Sequence, residues 1–199
     1  MSGLDFWYDF HSPFAYLAAA RIGAIAEHRG IALNWRPLHL PKLIAAIGGR
    51  RPLEENAAFL AWYKQDLQDQ AADCGVVIRY HPDFPLKPAR ALRAAIRAGE
   101  RGAASAFSLA VYRAYWTETR DISDLAVLGE LANGCGLDRR EIEQAAVSER
   151  YRDLLEQNNA EAIAAGVFGV PTMIWQGKLY FGNDRLDRLD RSLAERGKS

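Results

Sequence analysis

The sequence predicts an α/β fold: a four-stranded mixed sheet built from the two ends of the chain and interrupted by a large all-helical insertion. Three observations carry this. The opening stretch, Leu4–Leu17 (LDFWYDFHSPFAYL), runs from an aromatic strand straight into a helix. The closing stretch holds two short apolar runs around Gln176-Gly177, then an amphipathic helix. Between them, Leu53 to about Gly166 is helical in pattern almost throughout. The expected division is residues 1–37 with 166–199 as the sheet domain, and 38–165 as the helical insertion domain.

The first strand is expected over Leu4–Phe10 and the first helix from Ser12-Pro13 to Arg29, stopped by Gly30. Ser12 is a favoured N-cap and Pro13 is tolerated at the first helical position. Ile31–Arg36 alternates and makes a second strand, parallel to the first if the helix is a crossover. Pro37 and Pro41 break the chain before a short helical turn over Lys42–Ile47. Helices are expected over Leu53–Asp73, Ala89–Ala98, Ala103–Glu118, Ser123–Ala132, Arg139–Ala146 and Ser148–Ala165. Val76–Tyr80 reads as an extended piece, and the prolines at 82, 85 and 88 mark an irregular loop. Thr172–Trp175 and Lys178–Phe181 form the hairpin. Asn183 or Asp184 caps the last helix, whose Leu186, Leu189 and Leu193 share one face. With the ends joined, the arrangement is thioredoxin-like.

The chain of 199 residues has 25 basic and 25 acidic side chains, so its net charge is zero. A neutral chain lacks the basic field that nucleic acids or anionic membranes require, and neither partner is expected. No basic segment followed by an apolar run opens the sequence, and no apolar run approaches the ~18 residues of a spanning helix. A cytoplasmic protein is expected. Cys74 and Cys135 lie far apart, form no Cys-x-x-Cys, and read as small buried hydrophobes with free thiols. His11, His28, His39 and His81 show no metal spacing, and no metal is expected. His11 adjoins Ser12, but neighbours at a strand end face apart, which argues against a Ser-His hydrolase.

Three stretches carry the chemistry. The strand-to-helix turn at Ser12 offers free amides, a helix dipole and a hydroxyl to an anion. In Gly166–Thr172 (GVFGVPT), a cis Val170-Pro171 bond would turn the Val170 backbone groups outward to pair with an extended peptide, whereas a trans bond would merely begin a strand. In Phe181–Arg185 (FGNDR), amides at a helix start suit a carboxylate and Asp184 suits an ammonium, the two ends of an α-amino acid.

Together, Asp9–Tyr16 (DF-x-SP-x-AY), Gly166–Thr172 (G-x-F-G-V-P-T) and Phe181–Leu186 (F-G-N-D-R-L) resemble the 2-hydroxychromene-2-carboxylate isomerases, which group with kappa-class glutathione transferases in the DsbA-like branch of the thioredoxin superfamily. The resemblance covers nearly the whole chain and implies the cis form of Pro171. Ser12 takes the place of the first cysteine of the redox relatives' Cys-x-x-Cys, so the turn cannot exchange disulfides. The resemblance implies glutathione as cofactor, with Ser12 donating to its sulfur. Val170 beside Pro171 would pair with the cysteinyl backbone, and Asn183, Asp184 and the Arg185 backbone would hold the γ-glutamyl end. The implied reaction interconverts a chromene carboxylate and its ring-opened benzylidenepyruvate through transient addition of the thiolate. A kappa-like transferase and a redox-inactive DsbA-like binding domain are the alternatives. Lys42, Arg50 and Arg51 are the candidate cations for the carboxylate of a small aromatic acid, and a homodimer is expected. The sequence departs from relatives at Leu60, where many have Lys, and at Arg50-Arg51, where many have Asn. Asp66 matches. Lys64 is expected to point to another face of its helix than Leu60 and Tyr63.

Overall fold

The computed structural model describes residues 3–50 and 56–195. Its sheet runs in the order β2-β1-β3-β4, with β1 (Leu4–Tyr8) parallel to β2 (Leu33–Pro37) and antiparallel to β3 (Thr172–Trp175), which pairs antiparallel with β4 (Lys178–Phe181). The crossover from β1 to β2 is α1 (Pro13–His28). It closes with Gly30 at φ 61° and paired bonds, Gly30 N–H to the Glu27 carbonyl and Ile31 N–H to the Ala26 carbonyl, a left-handed stop only glycine adopts without cost. That stop consumes Ile31, so β2 begins at Leu33 and not at Ile31 as the alternation predicted. The hairpin turn has positive φ at both Gln176 and Gly177, which matches the twist of its flanking strands.

Aromatic residues of β1 explain why both faces of the sheet are covered. Phe6 and Tyr8 stack at 5.5 Å on one face, with Trp35 of β2 edge-on to both. Trp7 is buried on the other. β1 ends at Tyr8, short of the predicted Phe10, because the Asp9 carboxylate gathers the amides of His11 (2.9 Å) and Leu40 (2.6 Å) and folds the chain back. Those two bonds also dock α2 (Leu40–Ala46), which starts earlier than predicted. Pro41 lies in its first turn, where the missing N–H costs nothing.

The insertion holds α3 (Ala57–Asp73), α4 (Ala89–Glu100), α5 (Ala104–Trp116), α6 (Leu125–Gly134), α7 (Arg139–Val147) and α8 (Glu149–Ala164). Asn56 caps α3 through a 3.0 Å bond from the Phe59 amide; residues 53–55, where that helix was expected to begin, lie outside the described residues. The segment 76–80 joins no strand. It is pinned to the end of α5 by Arg79 N–H to the Trp116 carbonyl and by the Thr117 hydroxyl to the Val77 carbonyl. Three α5 side chains one turn apart reach the end of β1: Ser108 to Tyr8 (2.7 Å), Tyr112 to the Asp9 carbonyl (3.0 Å) and Trp116 to the Phe10 carbonyl (2.8 Å). After β4, a 3-10 turn (Asn183–Arg185) leads into α9 (Leu186–Glu195), whose Leu186, Leu189 and Leu193 are buried as patterned. Neither Asn183 nor Asp184 caps it: Gly182 precedes the turn at φ 106°, ψ 150°, and no side chain caps there.

No described helix is long and apolar enough to cross a membrane. The described residues hold no His/Cys/Asp/Glu group able to bind a metal ion.

Candidate functional site

Ser12 is the N-cap of α1 and is 7% exposed. Its hydroxyl accepts from the Ala15 amide at 3.2 Å and donates to the Val170 carbonyl at 3.4 Å. The second bond is long and correspondingly weak. Pro13 has no N–H, and the Phe14 amide has no hydrogen-bond partner among the described residues. Val170-Pro171 is a cis peptide. The Pro171 carbonyl accepts from the Gly182 amide, and the Thr172 hydroxyl holds the Gly169 carbonyl at 2.8 Å. The Val170 amide is left unpartnered among the described residues. The fold thus brings residues 12, 14 and 170 to one point with two free amides and one loosely held hydroxyl.

The FGNDR segment packs against α1 and α3 through Asn183. Asn183 is 3% exposed and its side chain is fully engaged: Nδ2 donates to Gln70 Oε1 (3.0 Å) and faces Cys74 Sγ (3.8 Å), while Oδ1 accepts from Arg21 (3.5 Å). What remains there for a ligand is backbone. The Asn183 and Asp184 amides have no partner among the described residues, whereas the Arg185 amide already donates to the Gly182 carbonyl. The Asp184 carboxylate is exposed, 3.6 Å from the Arg185 guanidinium.

The predicted cations are spread out. Lys42 lies on α2 and is paired with Glu156 of α8. Arg50 is exposed in the loop after α2, and Arg51 lies outside the described residues. A hollow of about 250 Å³ is lined by Leu60, Tyr63 and Lys64 of α3 and by Tyr80 and Phe84, residues not singled out as a group, and neither Lys42 nor Arg50 lines it. Lys64 therefore shares its cavity with Leu60 and Tyr63, contrary to the expectation; it follows Leu60 by four residues, one helical turn. Burial raises the phenol pKa values of Tyr63 and Tyr80, with Tyr80 and Asp66 adding to the effect at Tyr63, so both keep their protons. Phe14, two residues past Ser12, packs edge-on against Tyr63 at 5.2 Å. A larger hollow of about 920 Å³ between α1, β2, α4 and α5 contains none of the predicted site residues.

Other residues take structural places. His11 bonds the Leu86 carbonyl, which turns its ring from Ser12 toward the proline-rich loop. The Leu86 amide in turn donates to Tyr115, whose phenol is pushed up to about 12 by burial. Cys74 and Cys135 are free but only half-buried, less enclosed than predicted; burial raises the Cys135 thiol pKa. Asp9, fully buried, emerges as the residue that positions this turn, and its signal was present in the motif Asp9–Tyr16.

A cis-proline facing a helix N-cap across a β1-β3 pair, with a helical block between the sheet's halves, defines a DsbA-like thioredoxin domain, and the model of that family matches residues 3–194. Within it, the chain belongs to the 2-hydroxychromene-2-carboxylate isomerase family. It is 30% identical over 193 residues to the enzyme so named from Sphingobium xenophagum, covering 96% of this chain and 98% of that one. A solved structure of a 2-hydroxychromene-2-carboxylate isomerase superposes with a TM-score of 0.89 at 27% identity, over 99% of this chain and 97% of the other. The cytosolic disulfide reductase DsbM of Pseudomonas aeruginosa, solved with GSH, shares the fold: TM-score 0.69, 19% identity, both chains covered in full. Here positions 12–15 read Ser-Pro-Phe-Ala, with no cysteine.

Proposed function

We propose that this chain is a glutathione-dependent isomerase acting on 2-hydroxychromene-2-carboxylate or a similar unsaturated aromatic acid. One observation carries the reading: the Ser12 hydroxyl, on a helix N-terminus, meets the cis Val170-Pro171 segment, whose Val170 amide has no partner among the described residues. Those groups fit glutathione. A free amide beside a cis-proline suits the backbone of an extended peptide, and the Phe14 amide with the positive helix end suits a thiolate. The free Asn183 and Asp184 amides suit a carboxylate, and the exposed Asp184 side chain suits the neighbouring ammonium.

When bound, glutathione would supply a nucleophilic sulfur whose transient addition to a conjugated acid would make its double bond single and free to rotate, and whose departure would restore that double bond. This chain's residues do the rest. Ser12 turns its weakly held proton toward an anion, and α1 adds its dipole. Val170 fixes the peptide's register. Aromatic walls at Phe14, Tyr63, Tyr80 and Phe84 keep water from the reacting side.

Calorimetric titration of glutathione into the wild type and Ser12→Ala, across pH 6 to 9, tests this (a range that brackets a free thiol near ~8.5). The wild type should release protons on binding near neutrality, and Ser12→Ala should lose that release. Losing the cap also destabilises Ser12→Ala by about 1 kcal/mol, so thermal shift alone does not decide. Absence of wild-type binding at millimolar glutathione would sink the proposal. Stoichiometric loss of glutathione during turnover would point instead to a transferase.

A further inference from the structure

We propose that the outer edge of β2 is a docking site for an extended segment of another protein, which adds a strand to the sheet and sets a basic side chain against Glu27. The site stands apart from the Ser12 turn, and the proposal does not rest on the glutathione reading.

Register is the first ground. β2 is an edge strand, paired with β1 alone. The Leu4 amide donates to the Ala32 carbonyl and the Leu38 amide to the Tyr8 carbonyl, which fixes both ends of the parallel ladder. Asn34 and Arg36 therefore turn their backbone groups toward β1, and Leu33, Trp35 and Pro37 turn theirs outward. The Pro37 carbonyl is taken by the Asn158 side chain at 2.9 Å. The amides and carbonyls of Leu33 and Trp35 have no partner among the described residues. An antiparallel segment would satisfy all four groups with two of its residues, spaced i and i+2. An unpaired edge of this kind templates strand addition.

Room is the second. All five residues of β2 line the hollow of about 920 Å³, a volume at the upper end for binding clefts. Its other walls are small where a backbone must come close: Ala20, Gly23 and Ala24 on α1, and Gly99, Gly102 and Ala104 where α4 meets α5. A Cβ added at Gly23 would meet nothing within 4 Å, so the space beside α1 is open.

Charge names the occupant. Two of the side chains lining the hollow are ionic. Arg36 is paired with Glu161 of α8, whereas Glu27 has no ion-pair partner among the described residues. Glu27 also lies in the last turn of α1, where the helix end is itself negative and favours a cation. Nearby Arg29 is held by Asp190. A second copy of this chain meeting the hollow edge to edge would bring only another Glu27 and another paired Arg36. The unmatched carboxylate calls for a basic side chain from a different chain.

The probe is a blocked heptapeptide of alternating valine and threonine with a central lysine; its control carries glutamate in place of the lysine. Both are titrated calorimetrically into the wild type, Glu27→Gln and Gly23→Leu. Glu27 is exposed and leucine suits a helix better than glycine, so both variants should fold, which circular dichroism checks. The lysine peptide should bind the wild type, bind Glu27→Gln about threefold more weakly, and fail to bind Gly23→Leu, whose side chain fills the hollow. The glutamate peptide should bind the wild type several-fold more weakly than the lysine peptide. Hydrogen exchange read by NMR should slow at the Leu33 and Trp35 amides when the lysine peptide binds and stay unchanged at Asn34 and Arg36, which β1 already holds. No wild-type binding of the lysine peptide at millimolar concentration, equal affinity for the two peptides, or binding that survives Gly23→Leu would each overturn the proposal. So would a wild-type dimer that Gly23→Leu splits in analytical ultracentrifugation, since the edge would then belong to a second copy.

Discussion

At the scale of single residues, the turn around Ser12 is controlled by a buried carboxylate and its histidine neighbours. Burial lowers the His39 pKa; Lys42 and His11 push the same way, and Asp9 and Glu156 oppose them. Nδ1 of His39 also accepts from the Lys42 amide to cap α2, which a proton on that nitrogen would forbid. A histidine depressed in the folded state takes up its proton more readily when unfolded. Its contribution is therefore full above the unfolded value near ~6.5 and is lost as pH falls toward the folded one. His39→Asn keeps a capping acceptor without the titration. Melting temperature of the wild type should fall more steeply from pH 7.5 to 5.5 than that of His39→Asn, and parallel curves would show that His39 carries no linkage. Ser12 was legible because a cap residue and a helix-starting proline state their geometry locally, whereas an X-Pro bond leaves cis and trans open and only the family resemblance implied the cis form of Pro171. The placement of Lys64 was not legible. Its cavity has a second wall some twenty residues downstream, and no helical wheel shows what a loop brings opposite.

Among elements, the join between β4 and α9 is tightly constrained. Gly182 has φ 106° and ψ 150°, a region side chains avoid, and an added Cβ would lie 2.4 Å from Asp184 Oδ1. Its amide holds the Pro171 carbonyl, so the bend also supports the cis-proline segment. Gly182→Ala should cost about 1–3 kcal/mol and weaken glutathione binding together with stability. A variant with wild-type melting temperature would show that the bend tolerates a side chain. The strands of the hairpin were readable to the residue because alternation and a two-residue turn agree there. Helix starts were read less well at Pro41, since a proline in a first turn and a proline that breaks a chain look alike in sequence.

Across the whole molecule, polar side chains tie segments far apart in sequence, Arg21 and Arg29 of α1 to Asp187 and Asp190 of α9 among them. Asn159 of α8, 5% exposed, accepts from the His39 amide at 2.8 Å and donates to the His39 carbonyl at 3.0 Å, joining the helical block to the corner after β2. Asn159→Ala would strand the His39 amide, while the His39 carbonyl keeps the Lys42 and Leu43 amides, and should cost about 1–3 kcal/mol. For a chain of this size each kcal/mol lowers the melting point by about 2–4 °C, and differential scanning calorimetry would settle it; an unchanged transition would mean water replaces the amide. The general architecture was legible because strand patterns occupy only the chain's ends. The clips that hold it were not, since Asn158 and Asn159 look like any polar face of a helix. The three α5 side chains that meet Tyr8, Asp9 and Phe10 are clips of the same kind. They read the end of β1 at one bond per turn, like teeth of a key. A helical block transplanted from a distant relative would have to bring Ser, Tyr and Trp at that spacing, or the loop presenting Ser12 would lose its seat. In this chain the helical block and the strand end it grips are thus a matched pair, and a change in one calls for a change in the other.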